Sequence, residues 1–194
     1  MDDKRNALLS AARELFLRNT YDHISIRHIA RRARVNSALI AYYFGSKNGL
    51  FREMVRSYMQ THIDRLNASI DSAEPLALEA FYLNFYQKMP PEMVQLMIRT
   101  LFFERSETRQ WLLDAMLPSA LKTFDLYSEA LITGSGRKVN PLAVRVLIQS
   151  LMLCPKLMQP LLEELHPEAV DDTFFTDLAR LNAEVLSTYF DKES

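Results

Sequence analysis

At 194 residues the chain is long enough for one well-cored domain or two small ones, and its 48% hydrophobic content fits a globular protein. Only four glycines occur, and because glycine is costly inside helices and useful at turns, few tight turns and long helices are expected, in an all-α fold. The net charge of −1 hides an asymmetry: residues 1–60 hold 11 Lys and Arg against 5 Asp and Glu, a net of +6, and the rest holds 12 against 19, a net of −7.

In chain order, apolar residues Leu8, Ala11, Ala12, Leu15 and Phe16 recur at three- and four-residue spacing and predict a helix from about Asp3 to Arg18. Asn19-Thr20 is expected to make the exit turn in the left-handed conformation that glycine adopts more easily. Ser25 is a good N-cap for a short helix over about 26–33, with Ile29, Ala30 and Ala33 as its apolar stripe. Asn36 or Ser37 opens a third helix through Tyr43, which leaves only three or four residues for the turn and forces a steep crossing. Gly45-Ser46 breaks the pattern, and a long helix follows from Lys47 to about Ile70.

Prolines then punctuate the chain into helical segments of about 75–88, 91–105 and 107–132, the last kinked at Pro118, with Gly134-Ser135-Gly136 as a linker. Leu142 to Leu153 is strongly apolar, Pro155 and Pro160 are expected to interrupt it, and a final helix covers about 172–189. About nine helices are expected in all.

No uninterrupted run of eighteen apolar residues occurs, and the start Asp2-Asp3-Lys4-Arg5 is not followed by a signal-type apolar core, so a cytoplasmic protein with no membrane partner is expected. The lone Cys154, in an apolar run, reads as a buried inert thiol. His23, His28, His62 and His166 have no carboxylate or cysteine at metal-ligand spacing, and no nucleophile with its base can be assembled from sequence neighbours, so no metal, no cofactor and no enzyme activity are expected.

The second and third helices carry the chemistry. Two helices joined by so short a turn need a small residue where they touch, which Ala30 supplies, and apolar residues to pin the second onto the first, which Ile29, Ala33, Val35 and Ile40 supply. Ser37, Ala38 and Tyr42 are then left outward, on a helix of a size that enters the major groove of DNA, and the basic N-terminal third suits phosphate binding. Ile40 and Phe44 are assigned to the core. Arg31 and Arg32 read equally as solvent-facing charges or phosphate contacts.

The stretches Ala11-Ala12-Arg13-Glu14-Leu15-Phe16, Ile24-Ser25-Ile26-Arg27-His28-Ile29-Ala30 and Val35-Asn36-Ser37-Ala38-Leu39-Ile40-Ala41-Tyr42-Tyr43-Phe44-Gly45-Ser46-Lys47 together resemble the N-terminal domain of the TetR family. The resemblance covers about fifty residues. It implies a helix-turn-helix DNA-binding domain over 1–47 and an effector-binding and dimerisation domain over 48–194, in a dimeric, ligand-responsive repressor that releases a double-stranded DNA operator when a small molecule binds. By position it also implies that Tyr42, Tyr43 and Lys47 contact phosphates, that Ser25 and Arg27 make backbone contacts, and that Asn36, Ser37 and Ala38 begin the base contacts. Arg34 stands where many members have a turn glycine, Asn19-Thr20 replaces a common glycine, and Ala41 occupies a position that is often tyrosine.

In the body, Met93, Met97, Phe102, Phe103, Trp111 and Met116 form a soft apolar set suited to an adaptable effector pocket or to core. Arg99 and Arg105 could anchor an anion, with an ion pair to Glu104 or Glu107 as the alternative. The Leu142–Leu153 segment is apolar on nearly every face, more than one core stripe requires, so with the final helix it suggests a homodimer.

Overall fold

The computed structural model describes residues 2–19, 21–70 and 78–191, and the elements among them are all helical. They are α1 (Asp2–Arg18), a 3-10 turn (Tyr21–His23), α2 (Ile26–Ala33), α3 (Ala38–Phe44), α4 (Lys47–Ile70), α5 (Leu78–Lys88), α6 (Pro91–Ile98) with a π-helical turn (Arg99–Phe103), α7 (Glu107–Trp111) leading through a second π stretch (Leu112–Met116) into α8 (Leu117–Ser135), α9 (Pro141–Leu165) and α10 (Asp172–Phe190). With α7 to α8 counted as one uninterrupted rod, the described residues form nine helices. Residues 75–77 of the expected fifth helix lie outside the described residues, as does Thr20. The chain divides into two compact units, Met1–Thr61 with Leu96–Leu112, and His62–Gln95 with Leu113–Ser194.

In the first unit α1 packs on α2 and α3, and Leu8, Phe16, Ile29, Ile40 and Leu50 are fully buried. Ser25 caps α2 from an extended backbone, its side chain accepting from the His28 amide at 3.1 Å. α3 is opened by Asn36, whose Oδ1 accepts from the Ala38 amide at 2.8 Å, while Ser37 makes no capping bond. Arg34 has φ 55° and ψ 41°, and its amide reaches the Ala30 and Arg31 carbonyls, so a side chain occupies the left-handed position that glycine usually fills after a helix. Asn19 ends α1 differently from the expected turn. It keeps a negative φ and donates both its amide and its Nδ2 to the Leu15 carbonyl, at 3.0 and 2.9 Å. The corner from α3 to α4 uses two glycines: Gly45 has φ 73°, and a Cβ on Gly49 would collide with the Phe44 carbonyl oxygen.

In the second unit α5 packs on α9 and α10, and α8 packs on the same two helices. Pro155 and Pro160 do not interrupt α9, which runs through both. A proline inside a helix deprives the carbonyl four residues earlier of its donor, and for Pro155 that carbonyl is Leu151. Here it accepts instead from the Tyr86 hydroxyl at 2.6 Å, and Asn182 Nδ2 lies 2.8 Å from that hydroxyl and 3.4 Å from the same carbonyl. Pro90 likewise leaves the Tyr86 carbonyl without a helical donor, and the buried Lys156 ammonium supplies one at 2.9 Å. Gln159 Oε1 accepts a second Lys156 proton at 2.6 Å. Burial lowers the Lys156 pKa and raises that of Tyr86.

Elsewhere helix continues where breaks are expected. Pro118 lies in the first turn of α8, where a proline costs no helical hydrogen bond, directly after the π stretch. The glycine-serine linker is the last turn of α8, closed by Gly136 at φ 69°. Cys154 is exposed in the single chain rather than buried, its Sγ 3.7 Å from Met158 Sδ. By length and composition α9 is apolar enough to cross a membrane. Its exposed residues include Leu142, Val146, Leu161 and Leu165.

Two stability predictions follow from these carbonyls and from the strained turn. Tyr86→Phe should destabilise the protein by about 1–2 kcal/mol in urea unfolding, and by clearly less in a Pro155→Ala background, where the restored amide serves the Leu151 carbonyl. Equal costs in both backgrounds would remove the proposed compensation. Arg34→Gly should raise stability by about 1 kcal/mol, because glycine adopts the left-handed conformation without a Cβ penalty.

Candidate nucleic-acid interface

α3 is held by one face. Ile40 is fully buried, as expected, whereas its core partner Phe44 is only half-buried, with the Arg5 guanidinium 5.4 Å from its ring centre. On the outward side Asn36, Ala38 and Ala41 are exposed, and Tyr42 is 69% exposed. Tyr43 is half-buried and its ring meets that of Tyr42 edge-on at 4.9 Å, so the partly packed tyrosine fixes the exposed one. Ser37 is half-buried, and Ser25 and Arg27, at the N-terminus of α2, are exposed.

Lys47 has a second occupation. Its ammonium donates to the Tyr21 carbonyl at 3.0 Å and the Ile24 carbonyl at 2.9 Å, and lies 3.8 Å from the Tyr21 ring centre. Burial lowers its pKa, and the charge of Asp22 works against that shift. Lys47 therefore ties the 3-10 turn and the entry to α2 onto the start of α4. Two of its three donors serve this purpose.

The sequence reading missed a basic cleft of about 350 Å³ formed by Leu15, His28, Arg31, Arg32 and Arg34. Arg32 is also paired with Glu14 at 2.6 Å. The cluster of arginines at the end of α2 was one signal for it, and Arg34 standing where the resembled family has a turn glycine was the other.

The same unit holds a larger cavity, about 420 Å³, where Tyr21 and Phe51 face Leu96, Arg99, Thr100 and Phe103. The segment 96–112 is stitched to the N-terminal helices: Arg99 Nη2 donates to the Asn19 carbonyl at 3.4 Å, Arg52 Nη2 to the Glu107 carbonyl at 3.2 Å, and Thr108 Oγ1 to Asn48 Oδ1 at 2.9 Å. Arg99 Nε lies 4.0 Å from Glu104 Oε1, the ion pair expected as the alternative to an anion anchor.

The six expected effector-pocket residues are divided between the two units. Met93 and Met116 are buried in the second unit. Met97, Phe102, Phe103 and Trp111 belong to the first, where Phe102 and Phe103 are 76% and 80% exposed and Trp111 lies under Arg52 and Arg56, 5.8 and 5.7 Å away. Of the six, Phe103 alone lines the 420 Å³ cavity. Among the described residues no group of His, Cys, Asp and Glu could hold a metal ion.

Residues 8–54 match the family model described as bacterial regulatory proteins, tetR family. The chain is 30% identical over 71 residues to the HTH-type transcriptional regulator HbdR of Aromatoleum sp. (strain CIB), a match covering 37% of this chain and 31% of that relative's length. Its fold resembles that of a transcriptional regulator from Pseudomonas aeruginosa PAO1, with a TM-score of 0.73 at 17% identity over 94% of this chain and 89% of that one. It also resembles the regulator FadR from Bacillus subtilis, solved in complex with stearoyl-CoA, with a TM-score of 0.70 at 17% identity over 94% and 97% of the two chains. The N-terminal region therefore matches the tetR family of bacterial regulatory proteins over residues 8–54, and the fold is shared with solved transcriptional regulators.

Proposed function

We propose that the protein is a cytoplasmic, homodimeric transcriptional repressor that binds double-stranded DNA through residues 1–47 and releases its operator when a small molecule binds within 48–194. The observation that carries this reading is the outward side of α3: a helix with Ile40 at 0% exposure on one side and Tyr42 at 69% on the other presents polar and aromatic groups to a groove. In this reading Asn36, Ser37 and Ala38 meet base edges, and Ser25, Arg27, Tyr42 and Tyr43 meet the backbone. Lys47 supports the interface mainly by holding the 3-10 turn, with its third donor available to a phosphate. No catalytic role is proposed for any residue.

Dimerisation is supported by an uncovered apolar face. Leu142, Val146, Leu161 and Leu165 on α9 and Leu181, Val185 and Tyr189 on α10 are each between 49% and 61% exposed, more than a monomer of this size commonly leaves in water. Cys154 lies on α9 seven residues from Leu147 and from Leu161 and four from Ser150 and Met158, so a partner on that face would cover the thiol.

Arg27→Ala should weaken operator binding similarly for all sequences and flatten the slope of log K against log salt by about 1, as loss of one phosphate contact requires. Lys47→Met should instead lower the melting temperature and change the slope little. Asn36→Ala should alter base preference without changing the slope. Failure of the wild-type protein to retain any fragment of its own upstream region would sink the DNA-binding reading. For the dimer, Val185→Asp should shift sedimentation at micromolar concentration towards the monomer and speed labelling of Cys154 by a maleimide; a wild-type monomer overturns that part.

A further inference from the structure

The 420 Å³ cavity lies wholly within the first compact unit, between the Tyr21–His23 turn and the π-helical turn Arg99–Phe103, and none of the DNA-facing residues lines it. Its chemistry is lopsided. Tyr21, Phe51 and Phe103 offer three aromatic rings, and the Phe103 ring is 80% exposed, an apolar group left against water at the mouth. π-helical turns are energetically unfavourable and recur at functional sites, and this one brings Arg99, Thr100 and Phe103 to the same wall.

The charged lining consists of two cations and two anions, which are unequally engaged. Glu104 lies beside Arg99, and its other oxygen accepts from Ser106 Oγ at 3.4 Å. Asp22 stands close enough to Lys47 for its charge to favour the ammonium. Arg105 is exposed and has no ion-pair partner among the described residues. Arg99 Nε is buried without a hydrogen-bond acceptor, because Glu104 at 4.0 Å is beyond bonding distance. Two guanidinium groups line one cavity, and that of Arg105 has no ion-pair partner among the described residues, which favours a carboxylate over a neutral group. The volume lies in the lower part of the roughly 300–1,000 Å³ range of small-molecule sites, which suits one ring with a short acid chain and not a long acyl chain.

We propose that this cavity binds a small aromatic carboxylate, its ring among Tyr21, Phe51 and Phe103 and its carboxylate on Arg99 and Arg105. The consequence for DNA rests on the repressor reading above, with Tyr21 and Asp22 of 1–47 added to an effector site otherwise within 48–194; the binding does not. Tyr21 itself lines the cavity, and Asn19 is bonded to its wall through Arg99, so a ligand there acts on the turn that precedes α2.

The test is titration of the full chain with phenylacetate, 3-phenylpropionate and their uncharged amides, followed by calorimetry and amide NMR. At least one of the two acids should bind and shift the Tyr21, Thr100 and Ser106 resonances, with its amide weaker by about tenfold or more. Arg99→Gln and Arg105→Gln should each weaken the acid by a similar factor. Arg105 is exposed, so Arg105→Gln should melt as the wild type does and keeps the test valid if Arg99→Gln unfolds. Binding of neither acid, equal binding of acid and amide, or binding insensitive to Arg105→Gln overturns the proposal. Operator retention is measured separately: a protein that binds the acid through these arginines but no operator keeps this site and loses the repressor reading.

Discussion

Every helix C-terminus leaves four carbonyls without a donor four residues on, and a proline within a helix adds another. A chain built of helices with eight prolines therefore has many such oxygens to satisfy wherever water is excluded. This protein satisfies carbonyls at helix ends and in the connections between helices with long side chains. Lys47 serves Tyr21 and Ile24, Arg99 serves Asn19, Arg109 serves Leu101 at 2.8 Å, Arg52 serves Glu107, and Lys156 serves Tyr86. Each bond joins parts of the chain that the backbone ladder does not, so the donors that remove an electrostatic cost also set how the segments meet. In the second unit this logic lets α9 pass through Pro155: the Tyr86 hydroxyl replaces the missing amide, and Asn182 holds the hydroxyl.

The same device bears on the residues of the first unit that we propose face DNA. A base-reading helix must be placed to within a fraction of an ångström, and that precision comes from the groups behind it. Ile40 anchors α3, Asn36 caps it, and Gly45 with Gly49 fixes its exit. The entry to α2 depends on Lys47, whose removal would leave two carbonyls without that donor. A lysine at a helix N-terminus is unfavourable to the helix dipole, and its two carbonyl acceptors offset this. Its position in the family motif is therefore accounted for by architecture, whatever a phosphate adds.

How much of this was legible in the sequence depends on the range of the interaction. Helix spans, the Ser25 cap and the buried Ile29, Ala30 and Ile40 follow from local spacing and local hydrogen bonds, and the structure has them where expected. The continuation of α9 was not legible, because the groups that compensate for Pro155 lie 69 residues before it, at Tyr86, and 27 after it, at Asn182. Lys47's acceptors are 26 and 23 residues away. The exposed Cys154 shows a different limit. An apolar run says that a surface is to be covered, and does not say whether the same chain or a second copy covers it.

The π-helical turn adds a last consideration. Thr100 and Phe103 are three apart in sequence, and in a wider turn their directions differ from those a regular α-helix would give, so no helical-wheel reading of 91–105 could have assembled the cavity wall. That wall lies in the middle of the chain yet is packed with the N-terminal helices, through Asn19, Asn48 and Arg52. A segment held this way shares the mechanics of the unit that carries α2 and α3. Any molecule that changes the bonds of Arg99 changes the restraint on Asn19, one turn of chain before the helix-turn-helix begins, without having to be relayed through a second domain.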